Sequence, residues 1–319
     1  MAKLLEYNAT LTERIDLTDA LSVFRVTPDK MPEKRPWFVP GQYCVLGLNN
    51  EAAPELGSVR RSMSIASAPE DDGATEFYIR WVAKPESENP LTHLLWKRKQ
   101  GERVYMRAVA AGVFTIKDTV GVDDQRLRVM VAAGTGSAPF VSMVRSELRR
   151  NPHADLSKYV LLHGASYPAD LGYRDELQQV VATNKLHYFG TVSRPKDTGW
   201  TGDVGRVEAF FDTAGSPSRL SDLEKRIGLP VGGFTPKNVV IYICGLTGTI
   251  SGTIIPLIDR GFVPDFKRIR EALAVPPETK DSVFYEQYDT EPVIDIKNPA
   301  VVEPLKARMQ VALATLADK

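Results

Sequence analysis

In the N-terminal third of the chain, apolar and polar residues alternate with period two in several short runs. Leu21-Ser-Val-Phe-Arg-Val26, Cys44-Val-Leu-Gly-Leu48 and Glu76-Phe-Tyr-Ile-Arg-Trp-Val82 each read as a half-buried strand. Pro40-Gly41, Asp72-Gly73 and Gln100-Gly101 punctuate them as turns. A single short helix is predicted over 89–99, with Leu91, Leu94 and Leu95 on one face. Short strands, turns and one helix predict a small antiparallel β-barrel.

Beyond Asp118 the pattern changes. Leu127-Arg-Val-Met-Val-Ala-Ala133 is a continuous apolar run that ends at Gly134, and a helix follows over 139–150 with Phe140, Met143, Val144 and Leu148 on one side. Strands over 159–163, 186–192 and 239–244 then alternate with helices over 173–183, 204–212 and 249–260. Alternation of this kind predicts βαβ units around a parallel sheet, with ligands at the carboxyl ends of the strands. The fold class is therefore α+β in two domains: a barrel over 1–118, and an α/β domain over 126–289 after a polar linker. A tail over 290–319 holds a helical stripe of Leu305, Met309, Ala312, Leu313 and Leu316. It fits a helix docked on its own domain, and a dimer contact is the alternative.

Composition narrows the function classes. Forty basic and forty acidic residues cancel, which disfavours a mainly electrostatic nucleic-acid binder. Cys44 and Cys244 are the only cysteines, and the four histidines have no neighbours at ligand spacing, so neither a Cys/His metal site nor an iron–sulfur cluster is expected. No apolar run approaches a membrane span, and residues 1–25 carry charges throughout with no signal-peptide core. A cytoplasmic location without membrane contact is the expectation, as a monomer or weak dimer. A Cys44–Cys244 disulfide stays possible on paper.

Three local motifs can carry chemistry. Gly134-Thr-Gly-Ser-Ala-Pro139 closes a buried strand and opens a helix, so its amides can approach a pyrophosphate. Pro139 stands where a third glycine would complete the dinucleotide fingerprint, and Pro is tolerated in a first helical turn. A purely structural strand–helix turn explains the segment equally well. Arg60-Arg-Ser-Met-Ser-Ile-Ala-Ser67 could clamp a phosphate and hydrogen-bond a planar ring, or form a solvated edge strand. Ile241-Tyr-Ile-Cys-Gly245 is a buried strand ending in Cys-Gly, whose thiol could equally be structural.

Taken in order, Gly41-Gln-Tyr43, Arg61-Ser-Met-Ser64, Gly134-Thr-Gly136 with Pro139, and Cys244-Gly245 resemble the ferredoxin/flavodoxin–NADP(H) reductase family, the bacterial branch in particular. Phe38-Val-Pro-Gly-Gln-Tyr-Cys-Val-Leu-Gly-Leu48, Tyr167-Pro-Ala-Asp-Leu-Gly-Tyr173, Val192-Ser-Arg194 and Ile227-Gly-Leu-Pro230 extend the resemblance over residues 10–289. It implies an FAD-binding barrel followed by an NADP(H)-binding domain, and a ferredoxin or flavodoxin partner. Arg61 would bind the FAD pyrophosphate together with Leu91 and Thr92. Ser62, Met63 and Ser64 would lie along the flavin, with Ser64 near N5. Tyr78, Ile79 and Arg80 would line its ribityl side. Thr135 would touch both cofactors and Tyr288 would stack on the flavin ring, to be displaced by nicotinamide. Cys244 and Glu286 would stand by the nicotinamide, with Gly134, Gly136, Gly245, Leu246 and Thr247 along the dinucleotide. Ser166, Ser193, Arg194 and Arg206 would hold the 2′-phosphate. Two arginines favour NADPH over NADH, and Asp197 is the nearest acidic residue after Ser193.

The chain departs from the family's pattern in four places. Met63 replaces a flavin-packing Tyr, and Ser166 replaces a phosphate-binding Arg. Leu246-Thr-Gly-Thr249 replaces Asn-Pro-x-Met, and the chain runs on to Lys319 where relatives stop soon after the aromatic. The oxygenase-reductase component, the flavin reductase and the electron-conduit subunit of a larger complex share this scaffold and stand as alternatives.

Overall fold

The computed structural model describes residues 4–195 and 199–317. The chain divides into two units, 1–122 with 138–154, and 123–137 with 155–319.

The first unit is a six-stranded antiparallel sheet in the order β4-β3-β6-β1-β2-β5. Its strands are β1 (Ala9–Thr18), β2 (Leu21–Pro28), β3 (Tyr43–Asn49), β4 (Ser58–Ser64), β5 (Thr75–Arg80) and β6 (Arg103–Ala111). An isolated antiparallel bridge between Ile65 and Phe77, with Ala66 N donating to Glu76 O at 2.8 Å, joins the two edge strands and closes the barrel. Closure removes the unpaired edges that would otherwise invite association. Leu11, Phe24, Val26, Cys44, Leu46, Leu48 and Phe77 fill the interior. Helix α1 (Leu91–Trp96) adds Leu91, Leu94 and Leu95 to that core, on the face the spacing predicts but over fewer residues, because Pro90 starts it late.

Helix α2 (Ala138–Arg150) belongs to the same unit. Its Ser142 hydroxyl donates to Ser67 O at 2.7 Å, and Arg145 reaches the Glu76 carboxylate at 2.7 Å. Glu76 is buried and takes a second arginine, Arg25, at 2.9 Å. A buried carboxylate held by two guanidinium groups is costly to expose once one partner is lost, so these bonds fix α2 to the barrel wall.

The second unit is a parallel six-stranded sheet in the order β10-β9-β8-β7-β11-β12. Its strands are β7 (Leu127–Ala133), β8 (Tyr159–Ala165), β9 (His187–Val192), β10 (Asp203–Val204), β11 (Val239–Gly245) and β12 (Val283–Gln287). β11 is buried along its whole length, as a strand covered on both faces must be. Helices α3 (Arg174–Asn184), α4 (Arg219–Arg226), α5 (Thr247–Leu257) and α6 (Lys267–Ala272) complete the unit with the tail helix α7 (Pro299–Ala317). Asn298 caps α7 by accepting from Ala300 N at 3.1 Å. Leu305 and Met309 enter the same core as Val129, Ile243 and Ile254, so α7 is docked on its own unit. Strand order reverses between β7 and β11, the position at which open α/β sheets place their ligands.

The structure corrects one reading and closes one open possibility. The helix expected over 204–212 is instead the end of β10, then Gly205 at φ +124°, then a 3₁₀ turn over Val207–Phe211. The glycine turns the chain before a helix can propagate, and only the apolar Val207, Phe210 and Phe211 face inward. Cys44 and Cys244 are both buried and free. Among the described residues, no helix is long and apolar enough to cross a membrane.

Candidate functional site

In the first unit, β4 lies antiparallel to β3, with Leu46 opposite Arg61 and Cys44 opposite Met63. Directly opposed residues share a face of the sheet, so Arg61 and Met63 lie on the side that carries the barrel core and α1. Met63 packs against that core, while Arg61 is exposed and its guanidinium donates to the neighbouring Arg60 carbonyl at 2.9 Å. Ser62 and Ser64 alternate to the other face, Ser62 exposed and Ser64 buried. Tyr78 and Ile79 of β5 are buried and Arg80 is exposed. Leu91 is buried at the first position of α1, and the next residue, Thr92, has a hydroxyl out of contact with solvent that finds no hydrogen-bond partner among the described residues. Orphaned buried hydroxyls are uncommon and ask for a partner from outside the protein. Thr92 and Arg61 therefore fit a phosphate-bearing cofactor on this face.

In the second unit, the Gly134–Ser137 segment leaves β7 as a 3₁₀ turn. Gly134 sits at φ +54°, in the left-handed region. A Cβ on Gly136 would stand 2.1 Å from the Cys244 carbonyl oxygen, so only glycine lets this turn rest against β11. The Gly134 carbonyl accepts from Ser137 Oγ at 3.2 Å and from His163 Nε2 at 3.3 Å. That contact fixes the His163 tautomer, because a carbonyl can only accept, and Nδ1 then accepts from the Tyr188 hydroxyl at 3.3 Å. His163 is fully buried, and burial brings it down to about 4, so the imidazole stays neutral. With its carbonyl turned inward, the segment leaves Thr135 and Gly136 beside the end of β11.

Cys244 and Gly245 end β11, and in the ladder to β12 they stand opposite Glu286 and Gln287. The Cys244 thiol donates to Glu286 Oε2 at 3.8 Å. Burial, reinforced by the Glu286 charge, pushes this thiol well above its ordinary range, so it is protonated and not a nucleophile at neutral pH. The Tyr288 phenol also hydrogen-bonds the Cys244 sulfur, while its backbone N–H donates to Gly245 O at 3.0 Å. Leu246 is exposed, and Thr247 begins α5 with its N–H and hydroxyl both turned to the Asp289 carboxylate, at 3.0 and 2.5 Å.

At the far edge of the sheet, hydrogen bonding continues beyond β8 and β9. Ser193 N donates to Ala165 O at 3.0 Å and Arg194 N to Ser166 O at 2.9 Å. Gly205 N donates to Val192 O at 2.9 Å, which brings Arg206 to the same end. Arg206 is largely exposed, with Glu208 a loose partner at 3.7 Å. The structure thus gathers Ser166, Ser193, Arg194 and Arg206 at one corner. Asp197 lies outside the described residues. Sequence reading overlooked Arg219, whose guanidinium bonds Val204 O at 2.9 Å and covers Gly205. It also overlooked Asp289, which acts on Thr247 from 42 positions away.

Residues 130–253 match the oxidoreductase NAD-binding domain. A flavodoxin/ferredoxin–NADP reductase of Shigella flexneri is 30% identical over 233 residues, covering 72% of this chain and 80% of that protein. The chain belongs to this reductase family. Ferredoxin–NADP reductase A of Sorangium cellulosum is 27% identical over 253 residues, covering 79% of this chain and 83% of its own length. A ferredoxin NADP+ reductase from Neisseria gonorrhoeae, solved with bound FAD and NADP, superposes with a TM-score of 0.66 at 21% identity, over 90% of this chain and 99% of that one. That structure shares the two-part fold of antiparallel barrel and parallel α/β sheet.

Proposed function

We propose that the chain is an FAD-dependent oxidoreductase that moves electrons between NADPH and a one-electron carrier, a ferredoxin or flavodoxin. The observation that carries this reading is the cluster at the switch point of the parallel sheet. Cys244, Glu286 and Tyr288 meet there beside a glycine turn seated on the same strand, in a member of the reductase family.

Bound FAD supplies the conversion between a two-electron hydride and single electrons. The chain's own residues supply position and charge. Arg61 and Thr92 offer a guanidinium and an unsatisfied hydroxyl for the pyrophosphate of FAD, and family membership supports Ser62, Met63, Ser64, Tyr78, Ile79, Arg80 and Leu91 as further contacts. Gly134, Gly136, Gly245, Leu246 and Thr247 would flank the dinucleotide of NADPH. Arg194 and Arg206 supply the positive charge a 2′-phosphate requires, with Ser166 and Ser193 as neutral donors. The protonated Cys244 thiol presents a small neutral surface to the nicotinamide. The adjoining Glu286 carboxylate favours positive charge at that point, the charge that nicotinamide acquires when it gives up hydride.

Steady-state reduction of ferricyanide by the purified holoprotein tests the reading. NADPH should support turnover, and Arg194→Gln with Arg206→Gln should cut kcat/KM for NADPH about tenfold or more, given about 1.5–3 kcal/mol per charge-assisted bond, while sparing NADH. No turnover with either nucleotide would point to a conduit subunit, and equal losses with both would remove the 2′-phosphate assignment.

A further inference from the structure

The Tyr288 phenol hydrogen-bonds the Cys244 sulfur, and the backbone that carries it is held from both sides. On one side its N–H donates to Gly245 O at 3.0 Å. On the other, the next residue, Asp289, accepts the Thr247 N–H at 3.0 Å and the Thr247 hydroxyl at 2.5 Å. Gln287 Nε2 donates to Asp289 Oδ1 at 2.7 Å and to Thr247 Oγ1 at 2.7 Å, and the Glu291 carbonyl accepts from Thr247 Oγ1 at 3.0 Å. The strand end that carries Tyr288 is thereby fastened to the start of α5.

The chemistry of this fastening follows from the place of Thr247 in its helix. Thr247 is the first residue of α5, so its N–H has no partner within the helix, and a carboxylate is favoured at that end. Burial raises the Asp289 pKa, but the hydrogen bonds from Thr247 and Gln287 outweigh it and hold the carboxyl below its usual range. The turn after Gly245 and the segment that follows Tyr288 are therefore the two halves of one contact.

We propose that Asp289 is a positioning residue for Tyr288. Its clamp on Thr247 keeps the Tyr288 phenol on Cys244 and so sets how often the nicotinamide end of a dinucleotide reaches that thiol. The inference rests on the assignment of this corner to NADP(H) above. A ligand that needs the ring displaced binds only the open fraction, so its apparent Kd rises by the inverse of that fraction. A fragment that stops at the adenosine phosphates does not need the ring to move.

The test is calorimetric titration of the full-length holoprotein with NADP+ and, separately, with 2′,5′-ADP, which lacks the nicotinamide. Thr247→Pro removes both donors at a helix position that accepts proline, after a residue whose ψ of 162° suits one. Asp289→Ala removes the acceptor. Each variant should tighten NADP+ by about tenfold and leave 2′,5′-ADP unchanged. The double variant should bind no tighter than either single one, because both break the same contact. Thr247→Ser, which keeps both donors, should bind as the parent does. NADP+ affinity that is unchanged or weaker in either single variant would overturn the proposal, as would equal tightening of 2′,5′-ADP. A parent protein that binds neither nucleotide would instead remove the NADP(H) assignment itself, and the clamp's role with it.

Discussion

Replacing Gly136 by alanine should be among the most damaging single-methyl changes in the second unit. The added Cβ would stand 2.1 Å from the Cys244 carbonyl oxygen and 2.7 Å from its carbon. Both are backbone atoms of a fully buried strand that is paired on each side, so neither can rotate away as a flexible side chain would. Ordinary contact would require the turn and β11 to separate by roughly 1 Å. Overpacking of this kind typically costs about 1–3 kcal/mol. Displacing a positioned group by about 1 Å can cost on the order of a hundredfold in rate. Two neighbouring glycines serve as internal comparisons. Gly134 has nothing within 4 Å of its Cβ position but sits at φ +54°, so alanine there should lose about 1 kcal/mol through backbone strain alone. Gly248 is equally open, and lies inside α5 without a positive φ, so alanine should stabilise by up to about 1 kcal/mol. Denaturant unfolding and NADP+ titration on the three variants should rank them Gly248, Gly134, Gly136, from most to least stable. A Gly136→Ala protein with parental stability and parental NADP+ affinity would refute the close-packing argument.

Two further substitutions probe the frame around the site. Met309→Ala should destabilise the protein by about 2–5 kcal/mol in thermal or denaturant unfolding, because Met309 is fully buried in the core of the second unit; a change below 1 kcal/mol would mean that α7 is not docked there. Asp265 is raised to about 6, first by burial and then by the nearby Asp281 charge. A folded-state value above the unfolded one means that its stabilising contribution is complete below pH 4 and is lost as pH rises through about 6. Asp265→Asn should therefore stabilise by about 2–3 kcal/mol at pH 8 and by almost nothing at pH 4; the same gain at both would exclude the carboxylate charge as the cause.

Much of the fold is legible in the sequence because its signals are local. The alternation in Cys44–Leu48 and the apolar run over Leu127–Ala133 state burial on one face and on two, and the structure makes them β3 and β7. The apolar stripe of the tail likewise states which face of α7 is covered. The 204–212 segment misleads because Val207, Phe210 and Phe211 have helical spacing, while Gly205 imposes a turn that periodicity does not register. At the site, the types and order of Gly134, Cys244, Glu286 and Tyr288 are readable, yet their meeting depends on strand register. The contact of Thr247 with Asp289 lies further out of reach, since it joins two segments that no local pattern connects.

The reductase function stands or falls on whether this chain passes hydride from NADPH to a bound flavin. Anaerobic titration of the purified protein with NADPH, following the flavin absorption band, measures that in one experiment. Progressive bleaching with NADPH, and much weaker bleaching with NADH at the same concentrations, is the predicted result. A flavin band that NADPH leaves untouched, or a protein that takes up no FAD on reconstitution, would contradict the assignment.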